Sequence, residues 1–165
     1  MSAERKILVA DDDSSDVFFL QRAFARAGIK ANIDIVRDGD QAIHYLRAAR
    51  QDETIPDLLL LDLKMPRVNG FEVLAWVRAQ PWLTGLLVLV LTSSDVSEDI
   101  NRAYDLGANA YLVKPLYNEQ LVSVVQCLHR YWIQTNLCPE SVPIKEKAIQ
   151  KIPWISLANA MAEAP

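Results

Sequence analysis

Leu58-Leu59-Leu60-Leu61-Asp62 is the stretch that decides the fold of this chain. Four consecutive leucines show no alternation of apolar and polar side chains. The strand they form is therefore buried on both faces, as in a parallel sheet covered by helices. The run then stops on a carboxylate. In open parallel α/β sheets, ligands and chemistry gather outside the carboxyl ends of the strands. Asp62 stands at such an end, and neighbouring strands should deliver their own terminal residues to the same place.

Working outward, residues 6–10 read as a short apolar strand that ends on Asp11-Asp12-Asp13. Residues 33–36 form the second strand, residues 57–61 the third, and residues 86–91 a fourth that runs into Thr92. A short fifth strand over 110–113 ends on Lys114-Pro115. Helices fill the gaps. Val17, Leu20, Phe24 and Ala27 recur at helical spacing behind a cap at Ser14 or Ser15, and Gly28 stops that helix. Asp38-Gly39 reads as a turn, with Asp40 capping a helix through Ala42, Ile43, Leu46 and Ala49, and residues 47–56 as a polar loop. A third helix follows Gly70 and is broken by Pro81. A fourth starts at Ser94 or Asp95 and stops at Gly107. Asn118 caps the last, which carries Leu121, Val124, Val125, Leu128 and Trp132. Five alternations of strand and helix with right-handed crossovers give an α/β fold, a doubly wound five-stranded parallel sheet with helices on both faces. After Leu137 the pattern fails. Residues 138–165 form a tail punctuated by Pro139, Pro143 and Pro153, in which Trp154, Ile155 and Leu157 can dock on the domain or on a partner. The expected organisation is one domain over 1–137 and this tail, with no separate output domain.

Composition narrows the function classes. With 51% hydrophobic and 23% charged residues, the chain has the apolar material for a core, which excludes disorder throughout. A net charge of -4 without a Lys/Arg block argues against nucleic acid as the direct partner. No stretch reaches the roughly 18 apolar residues of a membrane helix. No secretory signal opens the chain, and Cys127 and Cys138 have neither metal nor redox spacing, so a cytoplasmic location is expected. No G-x-G-x-x-G loop is present, and His44 and His129 are isolated. What remains is the set at the strand ends: Asp11, Asp12, Asp62, Thr92 and Lys114. Three acids, a hydroxyl and an amine can bind a hard divalent cation and hold a phosphoryl group on a carboxylate. Taken singly, each has an ordinary reading as a solvated cap, a β-branched strand residue or a surface lysine.

Taken in order, these residues resemble the receiver domains of two-component response regulators, of the chemotaxis-regulator type. The resemblance covers residues 5 to about 130. It rests on the acidic pair Asp11-Asp12, on Asp62, on the Met65-Pro66…Gly70 loop, on Thr92 and on Lys114-Pro115. Leu91-Thr92-Ser93-Ser94, Ala108-Asn109-Ala110-Tyr111 and Tyr131-Trp132 are similar to the single-domain regulators that partner bacterial phytochromes. The resemblance implies a flavodoxin-like strand order 2-1-3-4-5, with Asp62 as phosphoacceptor for a histidine kinase, here a phytochrome. It implies Mg²⁺ held by Asp12, Asp62 and the backbone carbonyl of Lys64, with Asp11 acting through water. Lys114 and Thr92 contact the phosphoryl group, Tyr111 is the switch aromatic, and the bond before Pro115 is cis. The expected assembly is a homodimer through the fourth helix, fifth strand and fifth helix. Leu128, Tyr131, Trp132 and Ile133 give that helix more apolar surface than its inner stripe requires, and the tail adds Trp154, Ile155 and Leu157. Two rivals stand beside this reading. Asp11-x-Asp13-x-Ser15 also resembles the first motif of haloacid-dehalogenase-type phosphatases, with Asp11 as nucleophile. A pseudo-receiver would be a binding module that never takes phosphate.

Overall fold

The computed structural model describes residues 5–135. In chain order these are β1 (Lys6–Ala10), α1 (Ser14–Arg26), β2 (Asn32–Val36), α2 (Gly39–Gln51), β3 (Leu58–Leu61) and α3 (Gly70–Arg78). A 3₁₀ turn at Pro81–Leu83 leads to β4 (Leu87–Thr92), α4 (Ser97–Asp105), β5 (Ala110–Val113) and α5 (Asn118–Leu128), which continues as a π-helical segment, His129–Thr135. The five strands are parallel and ordered β2-β1-β3-β4-β5. The expected tail, with Cys138, Trp154, Ile155 and Leu157, lies outside the described residues.

Both faces of the sheet are covered, as the leucine run requires. Leu59 and Leu61 pack with Leu8, Ala10 and Val88 beneath Leu46 of α2 and Val73, Leu74 and Val77 of α3. Leu58 and Leu60 face the other way, with Ile7, Val9, Leu89 and Leu91, beneath Leu20 and Phe24 of α1 and Leu121, Val125 and Leu128 of α5. All four leucines are at most 1% exposed, so a shift of one residue would gain nothing by exposing a polar face; the register is held by the backbone ladder to β1 and β4.

The helix starts differ from the sequence expectations. Asp13, not Ser14 or Ser15, caps α1, accepting from the backbone N–H of Ser15 and Asp16. Asp38, not Asp40, caps α2 through the Gln41 N–H. Gly39 is thus the first helical residue rather than a turn, and its N–H donates to the Val68 carbonyl. α2 also runs on to Gln51, through much of the expected loop. α4 begins at Ser97, with Val96 and not Ser94 or Asp95 at the cap position, where an apolar side chain offers no acceptor; the Ser94 hydroxyl donates to Asp99. Tyr117 takes the cap position of α5, again without a side-chain bond, and Asn118 is its first helical residue. Gly28 and Gly107 do end α1 and α4, both at positive φ.

Candidate functional site

Three backbone hydrogen bonds continue the ladder one residue past the strands and set the site. Asp11 N–H donates to the Val36 carbonyl, Asp62 N–H to the Ala10 carbonyl and Lys114 N–H to the Thr92 carbonyl. The residues after β1, β3 and β5 therefore leave the sheet at one end. The carboxylates of Asp11, Asp12 and Asp62 offer oxygens within 4.8 Å of one another. Asp11 and Asp62 are buried and Asp12 is exposed. Lys114 reaches across from β5, its Nζ 2.7 Å from Asp11 and 3.3 Å from Asp62. Gly70 makes room for the loop after β3. A Cβ there would strike the Asp62 carbonyl oxygen and lie 2.7 Å from Leu63 Cα.

The electrostatics ask for a cation. Burial pushes the Asp11 carboxyl above its ordinary range, and its hydrogen bond from Lys114 recovers only part of that. Burial alone would lower the Lys114 ammonium, but hydrogen bonds to Asp11 and Asp16 outweigh it and hold it above its ordinary value. The two directions are compatible, because one ammonium is shared among several acids. Negative charge is left over, and oxygen donors of this kind suit a hard divalent ion. A second vacancy in the bonding concerns Thr92. It ends β4 fully buried, and its Oγ1 has no hydrogen-bond partner among the described residues. A buried hydroxyl without a partner is unusual.

Of the residues singled out from sequence, the structure brings Asp11, Asp12, Asp62 and Lys114 together and sets Thr92 at the end of the adjoining strand. Lys64 is exposed and donates its N–H to Asp62 Oδ1 at 3.3 Å. Tyr111 is half-buried on β5, its hydroxyl donating to the Ser94 carbonyl at 2.9 Å. The expectation for Pro115 is corrected: no peptide bond among the described residues is cis, so Lys114-Pro115 is trans. Trans is the favoured isomer of an X–Pro bond, and with it the Lys114 amine still lies 3.3 Å from Asp62. Sequence reading missed two contacts. Asp16 pairs with Lys114 at 2.7 Å, and the buried Asp38 pairs with Arg67 of the loop after β3. Asp16 was visible only as an acid in the first turn of α1. Nothing in the spacing links it to a lysine 98 residues away.

Comparison with known proteins decides what this constellation belongs to. Residues 7–126 match the model of the response regulator receiver domain. The chain belongs to the response regulator receiver domain family. It is 37% identical over 134 residues to the probable methanogenesis regulatory protein FilR2 of Methanothrix harundinacea, covering 81% of this chain and 86% of that one. It is similar to the phosphorylated cyanobacterial phytochrome response regulator RcpA, with a TM-score of 0.78 at 35% identity, covering 84% of this chain and 100% of that one. The Mn²⁺-bound form of response regulator Rcp1 matches with a TM-score of 0.74 at 32% identity, covering 82% and 99%; Rcp1 is from Synechocystis sp.. The receiver chain is thus a response regulator related to the phytochrome regulators, with a phosphoacceptor role in two-component signalling. A histidine kinase is its implied partner. The phosphatase reading of Asp11 falls with this assignment. Among the described residues, no helix is long and apolar enough to cross a membrane.

Proposed function

We propose that Asp62 is the phosphoacceptor, taking the phosphoryl group from the phosphohistidine of a phytochrome-type histidine kinase in the cytoplasm. The convergence of Asp62, Lys114 and the unpartnered Thr92 hydroxyl carries this reading. A carboxylate oxygen of Asp62 attacks phosphorus, the P–O bond forms as the P–N bond breaks, and the imidazole leaves. Lys114 then pairs with a phosphoryl oxygen, and the Thr92 hydroxyl donates to another. Lys114 already lies beside the acceptor before reaction, 3.3 Å from Asp62, and turns from its other carboxylates to the phosphoryl group.

Mg²⁺ is the cation we assign. Asp11, Asp12 and Asp62, with the Lys64 carbonyl, would hold it, a set in keeping with an ion that uses few carboxylates and keeps several waters. When bound, such an ion would supply charge neutralisation to the acceptor carboxylate and the incoming phosphoryl oxygens. The charge added by phosphorylation, about -1.5 to -2, draws Thr92 toward the acceptor, and the space vacated favours the inward Tyr111, whose hydroxyl bonds the Ser94 carbonyl. The face made by α4, β5 and α5 then changes. Val96, Val113, Leu116 and Tyr117 are exposed on or beside it, more apolar surface than a solvated rim needs. We assign this face to a homodimer, with residues 1–137 as the receiver unit and 138–165 as its tail. The likeness to RcpA and Rcp1 supports the phytochrome partner, and the complete acid, hydroxyl and amine set speaks against a pseudo-receiver. Labelling by a small acyl phosphate with Mg²⁺ tests the proposal. Wild type is labelled and Asp62→Asn is not; equal labelling of the two removes Asp62 from the role.

A further inference from the structure

Lys114 has three N–H donors and three carboxylates around it. Asp11 and Asp16 lie at 2.7 Å and Asp62 at 3.3 Å. Asp11 and Asp62 belong to the acidic cluster with Asp12. Asp16 lies outside that cluster, on the first turn of α1, and its carboxylate crosses to the lysine from the side. The ammonium is thus held more closely by a residue with no assigned part in the reaction than by the acceptor itself.

We propose that Asp16 is a positioning residue that competes with the phosphoryl group for the Lys114 ammonium and so sets how firmly the phosphorylated state is held. The inference rests on the assignment of Asp62 and Lys114 above. Phosphorylation raises the negative charge at the acceptor, and the ammonium must turn toward it. With its donors all engaged, it has to give one up. Asp11 is buried and cannot be rehydrated cheaply once released, whereas the Asp16 side chain is 41% exposed. Asp16 is therefore the contact that yields. While it stays charged it keeps drawing the lysine back, which weakens the Lys114–phosphoryl pair and shortens the life of the acyl phosphate.

Asp16→Asn keeps the size of the side chain and removes the charge. Two quantities are measured with Mg²⁺: beryllofluoride affinity by calorimetry, and the rate at which label is lost from the phosphorylated protein. The variant binds beryllofluoride more tightly and loses phosphoryl more slowly, each by about 2–5-fold, the scale of a charge pair weakened by partial exposure. Asp16→Glu, which keeps charge and reach, stays near wild type. In a Lys114→Met background, Asp16→Asn changes neither quantity. No change in the wild-type background overturns the proposal. So does an equal gain in the Lys114→Met background, since that effect would be simple charge repulsion not routed through the lysine. Asp62→Asn is run in the same series. Label that persists there overturns the acceptor assignment, and with it this proposal; label lost there while Asp16→Asn is silent overturns the role of Asp16 alone.

Discussion

Replacing Thr92 by valine should stabilise this protein when it carries no phosphoryl group, against the usual sign of a core substitution. Thr92 is fully buried and its Oγ1 has no hydrogen-bond partner among the described residues. A buried hydroxyl left unpaired costs about 1–3 kcal/mol. Valine has nearly the same shape, so no cavity opens. The expected gain is about 1 kcal/mol, the low end of that range, because a hydroxyl rotor can recover weak contacts. For a domain of this size that raises Tm by about 3–5 °C. The assay is urea and thermal unfolding in EDTA, repeated with Mg²⁺ and beryllofluoride. With the phosphoryl mimic present, wild type gains the hydrogen bond its hydroxyl lacked and the variant does not, so the difference narrows or reverses. If Thr92→Val is less stable than wild type in EDTA, the hydroxyl already has a partner. The claim that it is held for a phosphoryl oxygen then fails.

Three further outcomes follow from the same geometry. Gly70→Ala would press a methyl on the Asp62 backbone; a loss of about 1–3 kcal/mol and slower labelling are expected, and an unchanged Tm would show that the loop has room to move. Asp12→Ala should weaken Mg²⁺ binding far more than Asp13→Ala, since Asp12 is in the acidic cluster and Asp13 caps α1; calorimetric titration showing equal losses would refute that division. Sedimentation with beryllofluoride should show self-association that Leu116→Asp, at a 93% exposed position, abolishes; a monomer in both states at micromolar concentration would remove the proposed dimer face.

The sheet was legible because burial on both faces leaves its mark on the sequence directly. Leu58 to Leu61 read as a strand buried on both faces, and the ends of β1, β3, β4 and β5 then named site residues, while β2 supplied none. Helix caps were less legible. Several Asp and Ser residues stand near each start, and which oxygen reaches a free N–H depends on where the preceding loop is pinned. Asp38 wins over Asp40 because Gly39 is tied to Val68, a contact across the domain. The same limit hid Asp16. Its partner comes from another strand, and only the meeting of α1 with the end of β5 brings them together. The cis bond expected before Pro115 came from family likeness rather than from a local constraint, and the bond is trans.

Mapping the phosphorylated residue in the intact protein tests the central claim most directly. Borohydride reduction converts an aspartyl phosphate to homoserine, which peptide mass spectrometry locates. After incubation with an acyl phosphate and Mg²⁺, homoserine is expected at position 62 and absent when EDTA replaces the metal. Homoserine at position 11 or 12 instead, or full labelling with position 62 unmodified, would contradict the account.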